Sequence, residues 1–179
     1  QTVAALGGFG AQGRTMDARI GDENAIRSVK ARTLLSHSKT PDPWFGIKYG
    51  MNLYRGCQHQ CIYCDSRSDC YHIEDFSRID VKENALELLR DELARKRVKG
   101  TVGLGAMNDP YMPVERDRCM TRQALAILIE FNYPVHVITK SALVARDCDL
   151  LLWLSKVFAT VTFSVTTADD GLAGRLEPG

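Results

Sequence analysis

Three cysteines, Cys57, Cys61 and Cys64, fall within eight residues of the chain in the spacing Cys-x3-Cys-x2-Cys. An aromatic residue, Tyr63, directly precedes the third. Cysteine thiolates are soft, anionic ligands that suit iron–sulfur clusters or zinc. No secretory signal precedes them, which favours thiols kept reduced in a cytoplasmic protein over disulfides. The cysteine loop is therefore the leading candidate for a metal centre.

The number of ligands separates the possible metals. A structural zinc site takes four ligands, usually from two separated pairs of cysteines, and this chain has one tight triplet. Three thiolates would leave one iron of a 4Fe–4S cluster without a protein ligand, and an open position is typical of a catalytic metal. Cys70, His59 or His72 could supply a fourth ligand and give a four-ligand cluster or a zinc site. Cys119 and Cys148 are expected to be small buried hydrophobic residues.

The composition describes an ordinary globular protein. The 179 residues are 45% hydrophobic and 25% charged, with a net charge of +1. This charge gives no general attraction to nucleic acid or membrane, so nucleic acid is a possible partner that charge does not support. No apolar run approaches the roughly 18 residues of a membrane span. The chain starts at Gln1 and ends in Leu176-Glu177-Pro178-Gly179, and we expect it to be a fragment.

Hydrophobic periodicity and turn residues divide the chain into elements that could position these cysteines. Residues 1–43 are expected to be an N-terminal lead-in with a short helix over 22–35, and residues 44–179 the core. Asp80, with Glu83 at the capping-box offset, predicts a helix start, and Thr121 predicts another. The predicted core elements are a strand over 44–54, a helix from 80, a strand over 101–106, a helix from 121, a strand over 134–139, a helix over 141–155 and a strand over 157–166.

Strands that alternate with helices predict a parallel sheet covered by helices, either doubly wound or part of a barrel. In both architectures the chemistry gathers at the carboxyl ends of the strands. A polar group follows each predicted strand, so we expect four groups to converge on one rim. They are the cysteine loop, Asn108-Asp109-Pro110-Tyr111, Lys140-Ser141, and Ser164 with Thr166-Thr167.

Three motifs in this order resemble a known family. The string from Asn52 to Cys64, the string Asn-Asp-Pro-Tyr-x-Pro-x-Glu from Asn108, and Thr-Lys-Ser from Thr139 are similar to the spore-photoproduct-lyase-like branch of the radical S-adenosylmethionine (SAM) superfamily. The resemblance covers roughly residues 44–179. It implies a partial (β/α) barrel with about four βα units, parallel strands and outer helices, incomplete at its C-terminus.

The resemblance also implies an activity and two cofactors. Cys57, Cys61 and Cys64 would hold a 4Fe–4S cluster whose free iron binds SAM. Reductive cleavage of SAM would give a 5′-deoxyadenosyl radical that abstracts hydrogen from an unknown substrate, in a lyase- or transferase-like reaction. A flavodoxin- or ferredoxin-like donor of low potential would supply the electron.

Further residues match positions of the family that bind SAM. Tyr63 matches an aromatic residue at the adenine, and Asn108 and Asp109 match the position that meets the SAM amino group. Lys140 matches a cation for the SAM carboxylate, and Ser164 a hydroxyl near the ribose. A carboxylate or amide oxygen is a suitable acceptor for an ammonium group.

Other residues near the motifs have less defined expectations. Arg55 and His59 flank the cysteines and could either tune a cluster through hydrogen bonds to sulfur or cap the loop. Tyr111 and Glu115 are expected to face the substrate. Arg175 and Glu177 match a segment of the family to which no role is assigned.

One departure from the branch bears on the reaction. Met107 stands where spore photoproduct lyases have a cysteine that donates hydrogen, and its thioether has no labile hydrogen. DNA photoproduct repair is therefore disfavoured, although it stays an alternative. The competing class is a non-enzymatic iron–sulfur or zinc module with Cys70 as the fourth ligand.

Overall fold

The protein is described by a computed structural model that covers residues 26–40 and 42–179. The described residues form a mixed α/β structure with two sheets. The strands are β1 Ile26–Val29, β2 Leu35–His37, β3 Ile47–Met51, β4 Tyr54–Arg55, β5 Ile79–Lys82, β6 Thr101–Leu104, β7 Val135–Thr139 and β8 Ala159–Phe163. The helices are α1 Ala85–Arg95, α2 Glu115–Arg118, α3 Met120–Glu130, α4 Cys148–Leu154 and α5 Asp170–Leu176.

The larger sheet has the strand order β2-β3-β6-β7-β8. Strands β3, β6, β7 and β8 are parallel, and β2 is antiparallel to β3 at one edge. These four parallel strands lie side by side in the same order in which they occur along the chain, and the connections between them contain α1, α3 and α4. The prediction of a parallel α/β sheet is confirmed, and the carboxyl ends of four strands lie along one edge.

The hydrophobic core lies between this sheet and the connecting helices. Leu89 of α1 and Leu125 of α3 are fully buried, as are Val102 of β6 and Val135 of β7. Burying a leucine or valine side chain contributes about 1.5–3 kcal/mol to folding. The apolar stripes that predicted α1 and α3 are therefore the surfaces that fix these helices against the sheet.

The smaller sheet has the order β1-β5-β4, with β1 parallel and β4 antiparallel to β5. It includes residues for which the sequence predicted a helix over 22–35. That prediction is wrong for the described residues, because Ile26–Val29 pairs with β5 and Leu35–His37 with β3. Pairing with strands distant in sequence overrides a weak local pattern. Residues 22–25 of the predicted helix lie outside the described residues.

Asp80 does not cap a helix. It lies in β5, where its carboxylate accepts hydrogen bonds from Nε and Nη2 of Arg27 at 2.9 Å each. The helix instead begins at Ala85, after Asn84. Asn84 exchanges two hydrogen bonds with the backbone of Ala31, so its side chain ties the helix start to the N-terminal segment.

Thr121 is not a cap either, since it lies in the first turn of α3. Its hydroxyl donates to the carbonyl of Pro110 at 2.6 Å. The carboxylate of Glu115 takes the capping role, because it accepts from the backbone N–H groups of Met120 at 3.1 Å and Thr121 at 2.9 Å. A carboxylate at a helix N-terminus satisfies free N–H donors and complements the helix dipole.

Two predicted elements are divided. The strand expected over 44–54 is β3 and β4, which belong to different sheets. The helix expected over 141–155 is a 3₁₀ segment, Ala142–Asp147, followed by α4. Cys148 at the start of α4 is exposed and Cys119 is half-buried, so the expectation that both are buried is wrong. Among the described residues, no helix is long and apolar enough to cross a membrane.

Candidate active site

The cysteine loop begins where β4 ends, and its entry is fixed by backbone geometry. Gly56 has a φ of +82°, and a Cβ there would lie 2.3 Å from the carbonyl oxygen of Arg78. Only glycine tolerates both conditions. The side-chain amide of Gln60 donates to the carbonyl of Cys57 at 2.7 Å, which closes the loop on itself.

The three cysteines of the loop line one cleft of about 430 Å³. Cys57 and Cys61 are buried and Cys64 is half-buried. Burial raises the pKa of the Cys57 thiol to about 11, despite the nearby backbone amides of Asp109 and His59. Burial also raises the pKa of Cys61. Metal ligation by these thiols would therefore release protons.

Side chains from the ends of three neighbouring strands line the same cleft. Of the eight residues that the sequence proposed for metal and cofactor, seven line it: Cys57, Cys61, Cys64, Asn108, Asp109, Lys140 and Ser164. His59, Met107 and Thr139, each noted in the sequence, also line it, and so do four residues that the sequence did not single out: Ser66, Gly105, Ala106 and Ile138. Gly105 allows the close approach, because a Cβ there would lie 2.1 Å from the carbonyl oxygen of Ile138.

Asp109 joins two of the loops at the bottom of the cleft. Its Oδ1 accepts from the hydroxyl of Thr139 at 2.6 Å and from the N–H of Tyr111 at 2.8 Å, and its Oδ2 accepts from the N–H of Lys140 at 2.7 Å. Burial raises the pKa of Asp109, but these hydrogen bonds and His59 outweigh it and hold the pKa below its ordinary value. Asp109 is an ionised carboxylate that holds the loops after β6 and β7 together.

His59 presents a buried polar atom at the cleft. Its Nε2 lies 3.3 Å from Oδ2 of Asp109, yet it makes no hydrogen bond with a described residue, because the contact is not aligned for one. Buried polar atoms without partners are uncommon in folded proteins. The ring therefore has capacity for a ligand or an ordered water in the cleft.

Lys140 and Tyr63 meet at the mouth of the cleft with two residues of the C-terminal segment. Lys140 Nζ lies 2.9 Å from Oε1 of Glu177 and 2.8 Å from the hydroxyl of Tyr63. Tyr63 also donates to Glu177, and Thr166 Oγ1 donates to the same Oε1 at 2.5 Å. Tyr63 itself is half exposed and does not line the cleft.

Contacts among these four residues fix the charges of Glu177 and Lys140. Burial acts to raise the pKa of Glu177, but the hydrogen bonds from Lys140, Thr166 and Tyr63 outweigh it and lower the pKa to about 2. Burial acts to lower the pKa of Lys140, but Glu177 and Tyr63 raise it well above its ordinary value. Glu177 and Lys140 are therefore a stable ion pair at neutral pH.

The C-terminal segment also binds the cysteine loop through its backbone. Ile62 N–H donates to the carbonyl of Leu176 at 2.9 Å, and Gly179 N–H donates to the carbonyl of His59 at 3.2 Å. Glu177 matched a motif to which the sequence assigned no role, and its contacts show that it supports the loop. Arg175 is exposed and makes no ion pair with a described residue.

Tyr111 and Glu115 do not face a substrate, so that prediction is wrong. Both are completely buried. Glu115 accepts from the hydroxyl of Tyr54 and from Nη2 of Arg146 at 2.9 Å. Tyr111 donates to Asp147 Oδ2 at 3.1 Å, and Arg146 also binds Asp147. We call these five residues the buried ionic network.

Cys70 and His72, two candidates for a fourth ligand, lie away from the cleft. Cys70 is exposed, and its Sγ is 3.3 Å from the hydroxyl of Ser68. His72 lines a separate polar cleft with Arg27 and Asp75. Arg55 also lies outside the cysteine cleft, and its Nη2 donates to the carbonyls of Tyr71 and His72.

Across residues 26–40 and 42–179, no three His, Cys, Asp or Glu side chains converge closely enough to hold a single metal ion. A structural zinc site requires such convergence. In an iron–sulfur cluster each thiolate binds a different iron, so the thiolates surround the cluster rather than one ion. Three thiols around one cleft are a donor set that fits a cluster.

Comparisons with known proteins give distant relatives. The chain is 33% identical over 156 residues to an uncharacterized protein of Methanocaldococcus jannaschii, which covers 86% of this chain and 56% of that protein. It is 31% identical over 141 residues to an uncharacterized protein of Mycobacterium tuberculosis, and this alignment covers 74% of this chain and 42% of that protein. The chain thus spans about half the length of these curated relatives. No family model and no solved structure matches it.

A third relative carries a functional name. The chain is 22% identical over 156 residues to a protein of Pseudomonas phage M6 named "Radical SAM Nalpha-GlyT isomerase", and the alignment covers 87% of this chain and 30% of that protein. This similarity is distant and covers less than a third of that protein.

Proposed function

We propose that this chain is the core of a radical SAM enzyme of the spore-photoproduct-lyase-like branch, with a 4Fe–4S cluster on Cys57, Cys61 and Cys64. One observation carries the proposal: the three thiols share a cleft of about 430 Å³ with side chains from the ends of β6, β7 and β8. A concave site lined by thiols and a few convergent polar side chains is the usual form of a ligand site. The similarity to the phage radical SAM protein agrees with it.

When bound, the cluster and SAM supply one-electron reductive cleavage to a 5′-deoxyadenosyl radical that abstracts hydrogen from a substrate. The chain's part is to bind, orient and shield these groups. Lys140 has three N–H donors, and Glu177 and Tyr63 take up two of them. The third is available to the SAM carboxylate, so the ion pair with Glu177 aims the lysine without saturating it.

The polar side chains of the cleft have separate roles in the proposal. Asn108 donates its amide N–H to the carbonyl of Tyr54 at 2.8 Å, which leaves its Oδ1 to accept from the SAM ammonium. Asp109 adds negative charge at the same place, although its oxygens already hold Thr139 and Lys140. Ser164 is anchored by its backbone N–H to Thr139 at 3.0 Å, and its hydroxyl is proposed to meet the ribose.

The fold supports a partial (β/α) barrel in this proposal. The parallel strands follow each other in sequential order, as in barrels, and the order does not reverse as it does in doubly wound sheets. Strand β8 lies at the edge of the described sheet, and Phe163 and Val165 there are 54% and 79% exposed. A further parallel strand at this edge would cover them.

The competing module with Cys70 as a fourth ligand has less support, because Cys70 is exposed and outside the cleft. The enzyme further requires a one-electron donor of low potential, for which a flavodoxin- or ferredoxin-like protein is proposed. Repair of DNA photoproducts gains no specific support, since Met107 lines the cleft at the position where a hydrogen-donating cysteine would stand.

The test is to reconstitute the chain anaerobically with iron and sulfide, reduce it with dithionite, add SAM and measure 5′-deoxyadenosine by chromatography. The proposal predicts 5′-deoxyadenosine and methionine in equal amounts, which a Lys140→Ala variant forms more slowly through weaker SAM binding. A reduced, intact cluster that leaves SAM unchanged would contradict the enzyme function and favour an electron-transfer or structural module.

A further inference from the structure

A second cleft, of about 470 Å³, shares a wall with the cysteine cleft. Met107 and Asn108 line both, so the two clefts adjoin at this short segment after β6. The other lining residues are Asn52, Tyr54, Arg55, Gly56, Tyr71, Ile73 and Lys82. The next residue, Asp109, is hydrogen-bonded to Thr139 of β7 and to Lys140, which holds this loop in place.

The charge of this second cleft is one-sided. Arg55 and Lys82 are its charged lining residues, and none of its lining residues is acidic. The polar cleft around Arg27 adjoins it, since Arg55 and Ile73 line both, and the arginines of the polar cleft are accompanied by Glu74, Asp75 and Asp80. The charged side chains that line the second cleft are therefore all positive, whereas those that line the polar cleft carry both signs.

Lys82 at the end of β5 has no acidic partner among the described residues. Its Nζ donates to the carbonyl of Asn52 at 2.7 Å, which takes one of its three N–H donors. Burial, together with the neighbouring charge of Arg55, lowers the pKa of Lys82 below its ordinary value. A half-buried ammonium held by a carbonyl alone is incompletely compensated.

Arg55 on β4 is in the same condition. Its Nη2 donates to two carbonyls, those of Tyr71 at 3.2 Å and His72 at 2.5 Å. Within residues 26–40 and 42–179 its Nε and Nη1 make no hydrogen bond, and no carboxylate lies within ion-pair distance. Arg55 and Lys82 repel each other and neither forms an ion pair with a described residue, so an anion bound to both would reduce that repulsion.

We propose that the second cleft is the substrate pocket, and that Lys82 and Arg55 bind a carboxylate or phosphate group of a small anionic substrate. This inference rests on the proposed function, because the substrate's reacting part would point toward Met107 and Asn108, where the second cleft meets the cysteine cleft. Anchoring a remote charged group is an effective way to orient the rest of a substrate for reaction.

The anion site can be tested without cluster or SAM, so its failure is distinguishable from failure of the proposed function. Lys82 is labelled with a trace amount of an amine-acylating reagent, in acetate, inorganic phosphate or chloride at equal ionic strength, and each lysine is quantified by mass spectrometry. At an anion concentration about twice its Kd, labelling of Lys82 should slow about threefold relative to chloride. Lys30, whose side chain is 81% exposed, should be unaffected.

The two anions separate the two possible groups: stronger protection by acetate assigns a carboxylate, and stronger protection by phosphate a phosphate. Arg55→Gln should abolish the protection. Arg78→Gln is the matched control, since Arg78 lines the polar cleft and not the second one. Equal labelling of Lys82 in all three salts, or full protection in Arg55→Gln, would overturn the proposal.

A second measurement is independent of how readily Lys82 is acylated. At equal ionic strength, the more protective anion should raise the Tm of the chain above its value in chloride, and Lys82→Gln should lose that increase. An equal increase in the chain and in Lys82→Gln would show that the anion acts elsewhere on the protein, and would overturn the assignment of this cleft.

Discussion

Segment 108–115 contributes side chains to both the cysteine cleft and the buried ionic network, and these two regions differ in how completely their polar groups are paired. In the network, Glu115 and Asp147 are fully buried and each is matched by Arg146 and a tyrosine hydroxyl. In the cleft, the thiols and the Nε2 of His59 have spare bonding capacity. One region is internally complete, and the other is built for a ligand.

A single motif contributes to both regions. In the motif Asn-Asp-Pro-Tyr-x-Pro-x-Glu, Asn108 and Asp109 line the cleft, whereas Tyr111 and Glu115 belong to the network. Adjacent residues of a motif therefore do not share a role. The network fixes the loop, and the loop then presents Asn108 and Asp109 to the cleft.

The largest effect on stability is expected for Glu115→Gln. This change leaves Arg146 with less compensation and weakens the cap of α3, and breaking a buried ion pair costs about 3–5 kcal/mol. Urea unfolding should show a loss of that size. Glu130→Gln is the matched control, because Glu130 forms an exposed pair with Arg90 and the loss of such a pair changes stability little. Equal losses in the two variants would erase the distinction between the regions.

Asp109→Asn probes the boundary between the two regions. The amide cannot accept on both sides, so the hydrogen bond from Thr139 or from the N–H of Lys140 is lost, and an unsatisfied buried donor costs about 1–3 kcal/mol. Chemical denaturation should place this variant between Glu115→Gln and the exposed control Asp149→Asn. A loss no larger than that of Asp149→Asn would show that Asp109 does not hold the loops together.

The smallest effect belongs to Glu177→Gln, at the half-exposed mouth of the cleft. We expect a loss of about 0.5–1 kcal/mol at neutral pH, as for a partly exposed ion pair. The pKa of Glu177 is lowered to about 2 in the folded chain. Its contribution is therefore complete above the ordinary glutamate pKa and is lost as the pH falls toward 2.

The lowered pKa of Glu177 predicts how its contribution to stability changes with pH. The difference in unfolding free energy between the chain and Glu177→Gln should be constant from about pH 7 to 5 and should shrink between about pH 4 and 2. A difference that grows on acidification would mean that Glu177 is protonated in the folded chain, contrary to its contacts with Lys140 and Thr166.

Much of the architecture follows from local sequence signals. Apolar stripes identify α1 and α3, short β-branched runs identify β6, β7 and β8, and their alternation predicts a parallel sheet. The carboxyl ends of such strands share an edge, which is why residues as distant as Cys57, Asn108, Lys140 and Ser164 were expected together. Their roles toward a cluster and SAM stay predictions.

The rest depends on contacts between residues distant in sequence. β1 and β2 form only by pairing with β5 and β3, so a local pattern suggested a helix. The carboxylate of Glu115 caps α3 from five residues away while it binds Arg146, and no local capping rule includes that arrangement. Glu177 likewise acquires its contacts when α5 brings the segment after β8 to the cysteine loop.

The most direct test of the central claim is the iron and sulfide content of three proteins after anaerobic reconstitution: the chain, Cys57→Ala and Cys70→Ala. A three-cysteine 4Fe–4S site predicts about four irons and four sulfides in the chain and in Cys70→Ala, and almost none in Cys57→Ala. Circular dichroism of the three apo-proteins controls for folding. Loss of iron from Cys70→Ala as complete as from Cys57→Ala would contradict the account and identify a four-ligand site.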